Sequence, residues 1–192
     1  LVYNSGSEVL DAINSVREQE TSRSIGILII DGGKCEDWKT HVDSFEDIAM
    51  VKVNDFTVSQ SRNISHQISN EVFSNAKWIC RLDSDDVLDS RFSIEEIAER
   101  LKSEGREKRW AIAGNSLSEN GARIGRTNMP EEDLCNPEVI LSRIRRMAEG
   151  EVNAELPSCN LWIRPGFRAI YPDIESAEDH WLVSHLLVNQ PE

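Results

Sequence analysis

Asp83-Ser84-Asp85-Asp86 places three carboxylates within four residues. Ionised together they repel one another unless a cation or a basic side chain neutralises them. Hard divalent cations such as Mg²⁺ or Mn²⁺ take oxygen ligands of this kind, often with substrate phosphates completing the shell. The plainer reading is a solvated acidic turn that favours the dipole of the helix after it. Position favours the ligand reading, because the string follows a strand-like segment, Trp78 to Leu82, and ligands of open α/β sheets gather beyond the carboxyl ends of strands. Asp31 occupies a second such end, after Ile27-Leu28-Ile29-Ile30. Gly32 and Gly33 follow it and permit close backbone approach. Asp31 is therefore suited to accept hydrogen bonds from a uracil or ribose; read structurally, it is an Asp-Gly turn. A calcium hand beginning at Asp83 is excluded, since its sixth and twelfth positions want Gly and Glu and hold Leu88 and Ile94.

The charge balance narrows the ligand class. The 192 residues carry 21 basic and 34 acidic side chains, a net charge of −13. Such a field repels phosphate backbones and anionic membranes, so no nucleic-acid partner is expected. A nucleotide held together with a divalent cation remains compatible, since the cation inverts the local sign. Apolar residues at 39% and charged residues at 29% are the composition of a folded soluble domain. No apolar run approaches the roughly 20 residues needed to cross a bilayer, and no signal peptide is visible. The chain is expected to be cytoplasmic, with membrane association only through parts outside it. Cys35, Cys80, Cys135 and Cys159 form no C-x-x-C pair, and read as reduced thiols rather than a disulfide frame or zinc site.

The elements that must position these carboxylates alternate between strand and helix. Leu1 to Asn4 reads as the tail of a strand, so the chain reads as a piece trimmed at both ends. Ser7 caps a helix with Val9, Ile13 and Val16 on one face. Ile25 to Ile30 is a buried strand by its β-branched content, and Ile48 to Val53 a third. Ser59 to Ser74 predicts a helix with Ile64, Ile68 and Val72 as its apolar stripe. Trp78 to Leu82 is the fourth strand, and Ser93 to Ser103 a helix with Ile94, Ile97 and Leu101 inward. Strands separated by helices of this length imply a mainly parallel sheet covered on both faces. The last third differs: Trp110 to Asn115 and Arg123 to Thr127 are expected to pair as a hairpin through Asn120-Gly121. Pro137 suits the first turn of a helix to about Ala148. Cys159 to Arg164 is a further strand, and Ser176 caps a last helix with Trp181, Leu182 and Leu186. The fold class is α/β, a Rossmann-like, mainly parallel sheet flanked by helices with a small antiparallel addition in the C-terminal third.

Two families share parts of this pattern. Asp83-Ser84-Asp85-Asp86-Val87 is similar to the D-x-D-x-[TV] signature of haloacid-dehalogenase-like phosphatases, whose first Asp attacks phosphorus and whose second handles the proton. That motif follows the first strand of its domain, however, and here it follows the fourth, with no downstream G-D-x-x-x-D loop. The chain as a whole resembles the family 2 glycosyltransferases, inverting enzymes of the GT-A fold. Leu1-Val2-Tyr3-Asn4 is similar to the end of that family's first strand, and Ile29-Ile30-Asp31-Gly32-Gly33 to its V-D-D-G-S turn. Ser61-Arg62-Asn63 resembles its A-R-N, Leu82-Asp83-Ser84-Asp85-Asp86 its L-D-A-D-D, and Ala177-Glu178-Asp179 its late G-E-D. Here Asp31-Gly32-Gly33 lacks the second Asp of the family's usual pair, and Ser61 replaces an Ala.

The resemblance implies a single domain over residues 1–192. About 1–116 would be the nucleotide-sugar-binding half and about 117–192 the acceptor side. It implies a metal-dependent transfer from a nucleoside-diphosphate sugar, expected to be UDP-linked, to a hydroxyl acceptor on a glycan, lipid-linked carrier or small molecule, with Mn²⁺ or Mg²⁺ as cofactor. Tyr3, Asn4, Asp31, Gly32, Arg62, Asp83 and Ser84 would hold the nucleotide sugar, and Asp85 with Asp83 the cation. Asp179 would be the general base, because inversion by direct displacement needs a carboxylate opposite the leaving group. Glu178 would orient the site. A sugar-nucleotide-binding module without turnover is the non-enzymatic alternative. His185 is read either as a contact to metal or phosphate or as a helix-surface histidine. Trp162 and Trp181 are read as core or as acceptor platform.

Overall fold

The computed structural model describes residues 1–3, 5–34, 37–43, 45–89, 94–103, 110–112, 116–117, 123–124, 136–150, 161–167, 170–173 and 178–189. The predicted helix start Ser93, the predicted cap Ser176, the turn at Asn120-Gly121, the site residue Asn4 and the cysteines Cys35, Cys135 and Cys159 lie outside them.

The first half is built on a parallel ladder. Strand β1 (Ile27–Asp31) pairs in parallel with β2 (Ile48–Lys52), Ile27 opposite Ile48 and Asp31 opposite Lys52. Val2 joins the other edge of β1, its N–H donating to Ile30 at 2.9 Å and its carbonyl accepting from Gly32 at 2.9 Å. Leu82 follows on the far side of this segment, where its carbonyl is 3.2 Å from the Leu1 nitrogen. Val2, Asp31 and the start of the acidic turn are thus brought side by side at one end of the sheet. Helix α1 (Glu8–Arg17) covers the ladder with Val9 and Ile13, one turn apart. They form a core with Val2, Ile29, Trp38 and Val42, the last from the short helix α2 (Lys39–Val42).

Helix α3 (Val58–Val72) opens with a capping box. The Thr57 hydroxyl accepts from the Gln60 N–H, and the Gln60 side chain accepts from the Thr57 N–H, so two end donors are satisfied reciprocally. Its buried residues are Ser59, Ser61, Arg62 and Ser69, whereas Val72 is exposed and Ile64 and Ile68 are only half-buried. The expected apolar stripe is therefore not the inner face. Small serines let the helix lie close to its neighbours, and the same face delivers a guanidinium to the site. At the far end of α3, the Phe73 ring presses on Gly26, where a Cβ would sit 2.7 Å from it.

The second sheet departs from the expected hairpin. Strand β3 (Ile79–Cys80) pairs antiparallel with β7 (Leu161–Ile163), which also pairs antiparallel with β4 (Trp110–Ile112). The segment 161–163 lies between the two, with Leu161 and Ile163 buried as the pleat requires. Strand β6 (Arg123–Ile124) takes β5 (Ser116–Leu117) as its partner rather than β4. Among the described strands, antiparallel pairing is thus larger than the sequence pattern implied, and the parallel part is β1, β2 and the Val2 bridge. Helix α4 (Ile94–Ser103) buries Leu101, and helices α5 (Pro137–Ala148) and α6 (Glu178–Asn189) pack together in the C-terminal third. No described helix is long and apolar enough to cross a membrane.

A hollow of about 1020 Å³ opens between β1, α3 and β3. Its lining is mostly apolar but includes Arg62, Arg81, Asp83 and Ser84, while Asp31, Asp85 and Asp179 lie outside it.

Candidate active site

Asp31 is the last residue of β1 and is 1% exposed. Its Oδ1 accepts the Gly33 N–H at 2.9 Å, and its Oδ2 lies 2.7 Å from the Lys39 ammonium. Both oxygens are engaged within the chain, so this carboxylate shapes the Asp31-Gly32-Gly33 turn and fixes α2 beside it. Gly32 sits against the Tyr3 ring, whose Cδ2 would be 3.4 Å from a Cβ added there. Tyr3 itself is 66% exposed. One turn further along, the Ser5 and Ser84 hydroxyls are hydrogen-bonded at 2.7 Å, which ties the segment after Val2 to the acidic turn. Tyr3, Gly32, Ser84 and Asp83 are in this way gathered along the ends of neighbouring strands.

Asp83 is the focus of the charge. Arg62 Nη2 stands 3.6 Å from its Oδ2 and Arg81 Nε 3.3 Å from its Oδ1. Arg62 is 8% exposed, with its guanidinium 5.5 Å from the centre of the Tyr171 ring. Burial and the neighbouring Arg81 cation pull Arg62 below the usual arginine range, and Asp83 and Asp179 oppose them. Arg81 also reaches Asp179 Oδ2 at 3.4 Å from its Nη2. Asp179, near the start of α6, has its side chain 19% exposed. Two guanidinium groups and two carboxylates therefore form one compact cluster spanning α3, the end of β3 and α6.

Tyr171 completes the cluster. Burial is the main reason its pKa lies above the usual tyrosine value, with the Arg81 and Arg62 cations opposing the rise. Its backbone is held by Asn63, whose Nδ2 donates to the Tyr171 carbonyl at 2.9 Å and whose Oδ1 accepts the Tyr171 N–H at 2.8 Å. Ser61-Arg62-Asn63 thus does two jobs on consecutive residues: Arg62 enters the cluster and Asn63 pins the segment that bears Tyr171. Neither Arg81 nor Tyr171 was singled out by sequence. The available signal was a basic residue, Arg81, inside an otherwise apolar strand end, two positions before the first Asp.

The donor set bears on a cation. Burial is the first cause that raises the Asp86 pKa, followed by the charges of Asp83 and Asp85, so the three carboxylates feel one another. Among the described residues, no three His, Cys, Asp or Glu side chains close into a cage. An open rim of carboxylate oxygens fits Mg²⁺ or Mn²⁺, which keep several ligands from water and phosphate. Asp85 is exposed, as such a ligand must be. Glu178 opens α6 beside Asp179. Trp181 and His185 lie on the outer face of α6, stacked at 5.0 Å and 6°. Trp162 is half-buried in β7.

The two guanidinium groups and two carboxylates of this cluster balance in charge, so an anionic ligand beside the acidic turn would need a cation with it. The family model described as glycosyl transferase family 2 matches residues 1–164. No curated protein matches the sequence.

Proposed function

Because the chain belongs to glycosyltransferase family 2, we propose that it is a metal-dependent, inverting enzyme of the GT-A fold that uses a UDP-linked sugar. As a glycosyltransferase it takes a nucleotide-sugar donor and an acceptor. The observation that carries the finer reading is the convergence of Arg62, Arg81, Asp83 and Asp179 from three separate elements.

In this reading Tyr3, Asn4 and the backbone of Gly32 face the nucleoside, with Asp31 holding the turn in shape. Ser84 and Asp83 border the ribose and phosphates, and Arg62 supplies fixed positive charge to the leaving diphosphate. Asp83 and Asp85 would hold Mn²⁺ or Mg²⁺, which when bound neutralises charge on the diphosphate. Asp179 accepts the proton of the acceptor hydroxyl as its oxygen attacks the anomeric carbon from the face opposite the leaving group. The new glycosidic bond forms as the bond to the diphosphate oxygen breaks, so the configuration inverts. Glu178 orients the acceptor side. The acceptor is a hydroxyl on a glycan, a lipid-linked carrier or a small molecule. The phosphatase reading is the weaker one, because the acidic turn follows β3 rather than the first strand and no G-D-x-x-x-D string lies downstream.

A thermal-shift panel of nucleoside diphosphates with and without Mn²⁺ tests this directly, since a ligand that binds only the native state raises its stability. UDP with Mn²⁺ is expected to give the largest shift. A panel with no shift, or a UDP shift indifferent to metal, counts against the assignment.

A further inference from the structure

Arg81 touches two carboxylates that lie far apart in sequence. Its Nε is 3.3 Å from Asp83 Oδ1 and its Nη2 is 3.4 Å from Asp179 Oδ2. Different nitrogens of one planar group make the two contacts, so neither is given up for the other. The side chain is 13% exposed. Arg81 is therefore held at two edges of its guanidinium, and a tilt at one edge is transmitted to the other.

The consequence concerns how the two halves of the site communicate. Charge arriving at the acidic turn alters the field at Asp83, and Asp83 is gripped by Arg62 and Arg81. Arg62 belongs to α3 and lies over Tyr171. Arg81 goes on to Asp179, which stands in the first turn of α6. We infer that Arg81 is a positioning residue that transmits occupancy of the donor floor at Asp83 to Asp179 on α6. The inference rests on the donor and acceptor assignments proposed above. It makes the proton acceptor firmer when the leaving group is in place, which restrains loss of the donor to water.

Hydrogen exchange read by mass spectrometry on the wild type, Arg81→Lys and Arg81→Gln, each with and without UDP and Mn²⁺, tests it. In the wild type the ligands are expected to slow exchange at residues 31–33 and 82–86, and also in the first turn of α6 by about tenfold. Lysine keeps the charge but offers one nitrogen, which cannot span both carboxylates. Arg81→Lys should therefore retain protection at 31–33 and 82–86 and lose it in α6, and Arg81→Gln should do the same. The lysine variant keeps the test decisive where the glutamine variant does not fold. Undiminished α6 protection in Arg81→Lys, or no α6 response in a wild type whose donor segments do respond, overturns the inference. Silence in both regions of the wild type would instead refute donor binding itself, so the two failures are told apart.

Discussion

The Lys39 ammonium stands 2.7 Å from Asp31 Oδ2, closing an ion pair whose carboxylate is 1% exposed. The pair fastens α2 to the end of β1, where the Gly32-Gly33 turn begins. Removing one member of a buried pair strands the other charge. Lys39→Met is expected to cost about 3 kcal/mol in urea denaturation. A loss under about 1 kcal/mol would show that the Gly33 N–H alone sustains the carboxylate.

Asp85 is exposed, as is Asp86, whereas Asp83 is half-buried beside two arginines, so Asp85 can meet a cation without breaking an arginine pair. Asp85→Ala should abolish the Mn²⁺-dependent part of UDP affinity and leave the metal-free part in place. Calorimetric titration of UDP with and without Mn²⁺ measures both. Unchanged metal dependence would move the cation site elsewhere.

Asp179→Asn keeps the shape and hydrogen-bonding capacity of the side chain and removes its basicity. UDP affinity is expected to hold within about twofold while turnover falls by about 10²-fold or more. Release of UDP in the presence of acceptor is the measurement. Surviving activity would assign the proton transfer to another group.

Glu95 carries a separate, structural prediction. Its carboxylate accepts from the Thr21 hydroxyl at 2.7 Å and the Ser22 N–H at 3.1 Å and pairs with Arg23 at 3.0 Å. These contacts, the Thr21 hydrogen bond first, lower its pKa from an ordinary 4.5 to about 2. For a carboxylate whose folded pKa is depressed, the stabilisation is complete above the unfolded value and is lost as pH falls through the folded one. The stability gap between wild type and Glu95→Gln should therefore be widest above pH 4.5 and close as pH drops toward 2. Denaturation series across that window would show it, and a gap that stays constant would contradict the assignment.

Thr57 caps the helix that carries Arg62 and also donates to Asp173 Oδ1 at 2.9 Å. Thr57→Ala should cost about 1 kcal/mol through the lost cap. Chemical denaturation checks the energy, and UDP titration checks whether Arg62 keeps its place.

Local pattern was enough to mark Asp31 and Asp83 as strand-end carboxylates, because an isoleucine-rich run stops at the first and a mostly apolar segment at the second, and strand ends are where α/β sheets meet ligands. It also marked α1, α3, α4, α5 and α6, whose apolar repeats or first-turn proline lie close together in sequence, although the Ser7 side chain expected to cap α1 makes no capping hydrogen bond. Pairing partners were less legible. The strand 161–163 enters between β3 and β4 from far along the chain, and a two-residue strand such as β3 carries no period of its own. The inner face of α3 was misjudged for a related reason. Ile64, Ile68 and Val72 repeat at helical spacing, yet the neighbours of that helix demand small residues and a buried cation. Arg81 escaped notice because its value depends on Asp179, and a contact between residues so distant in sequence leaves no trace in spacing.

The close approach of Gly26 to the Phe73 ring gives α3 a stop at the end opposite its cap. A helix of this length is a nearly rigid rod of about 22 Å. Bulk introduced at position 26 would meet that ring, and either the ring turns aside or the end of the helix is pushed outward. A single missing methyl group thus helps to set where the Arg62 guanidinium lies, most of a helix length away.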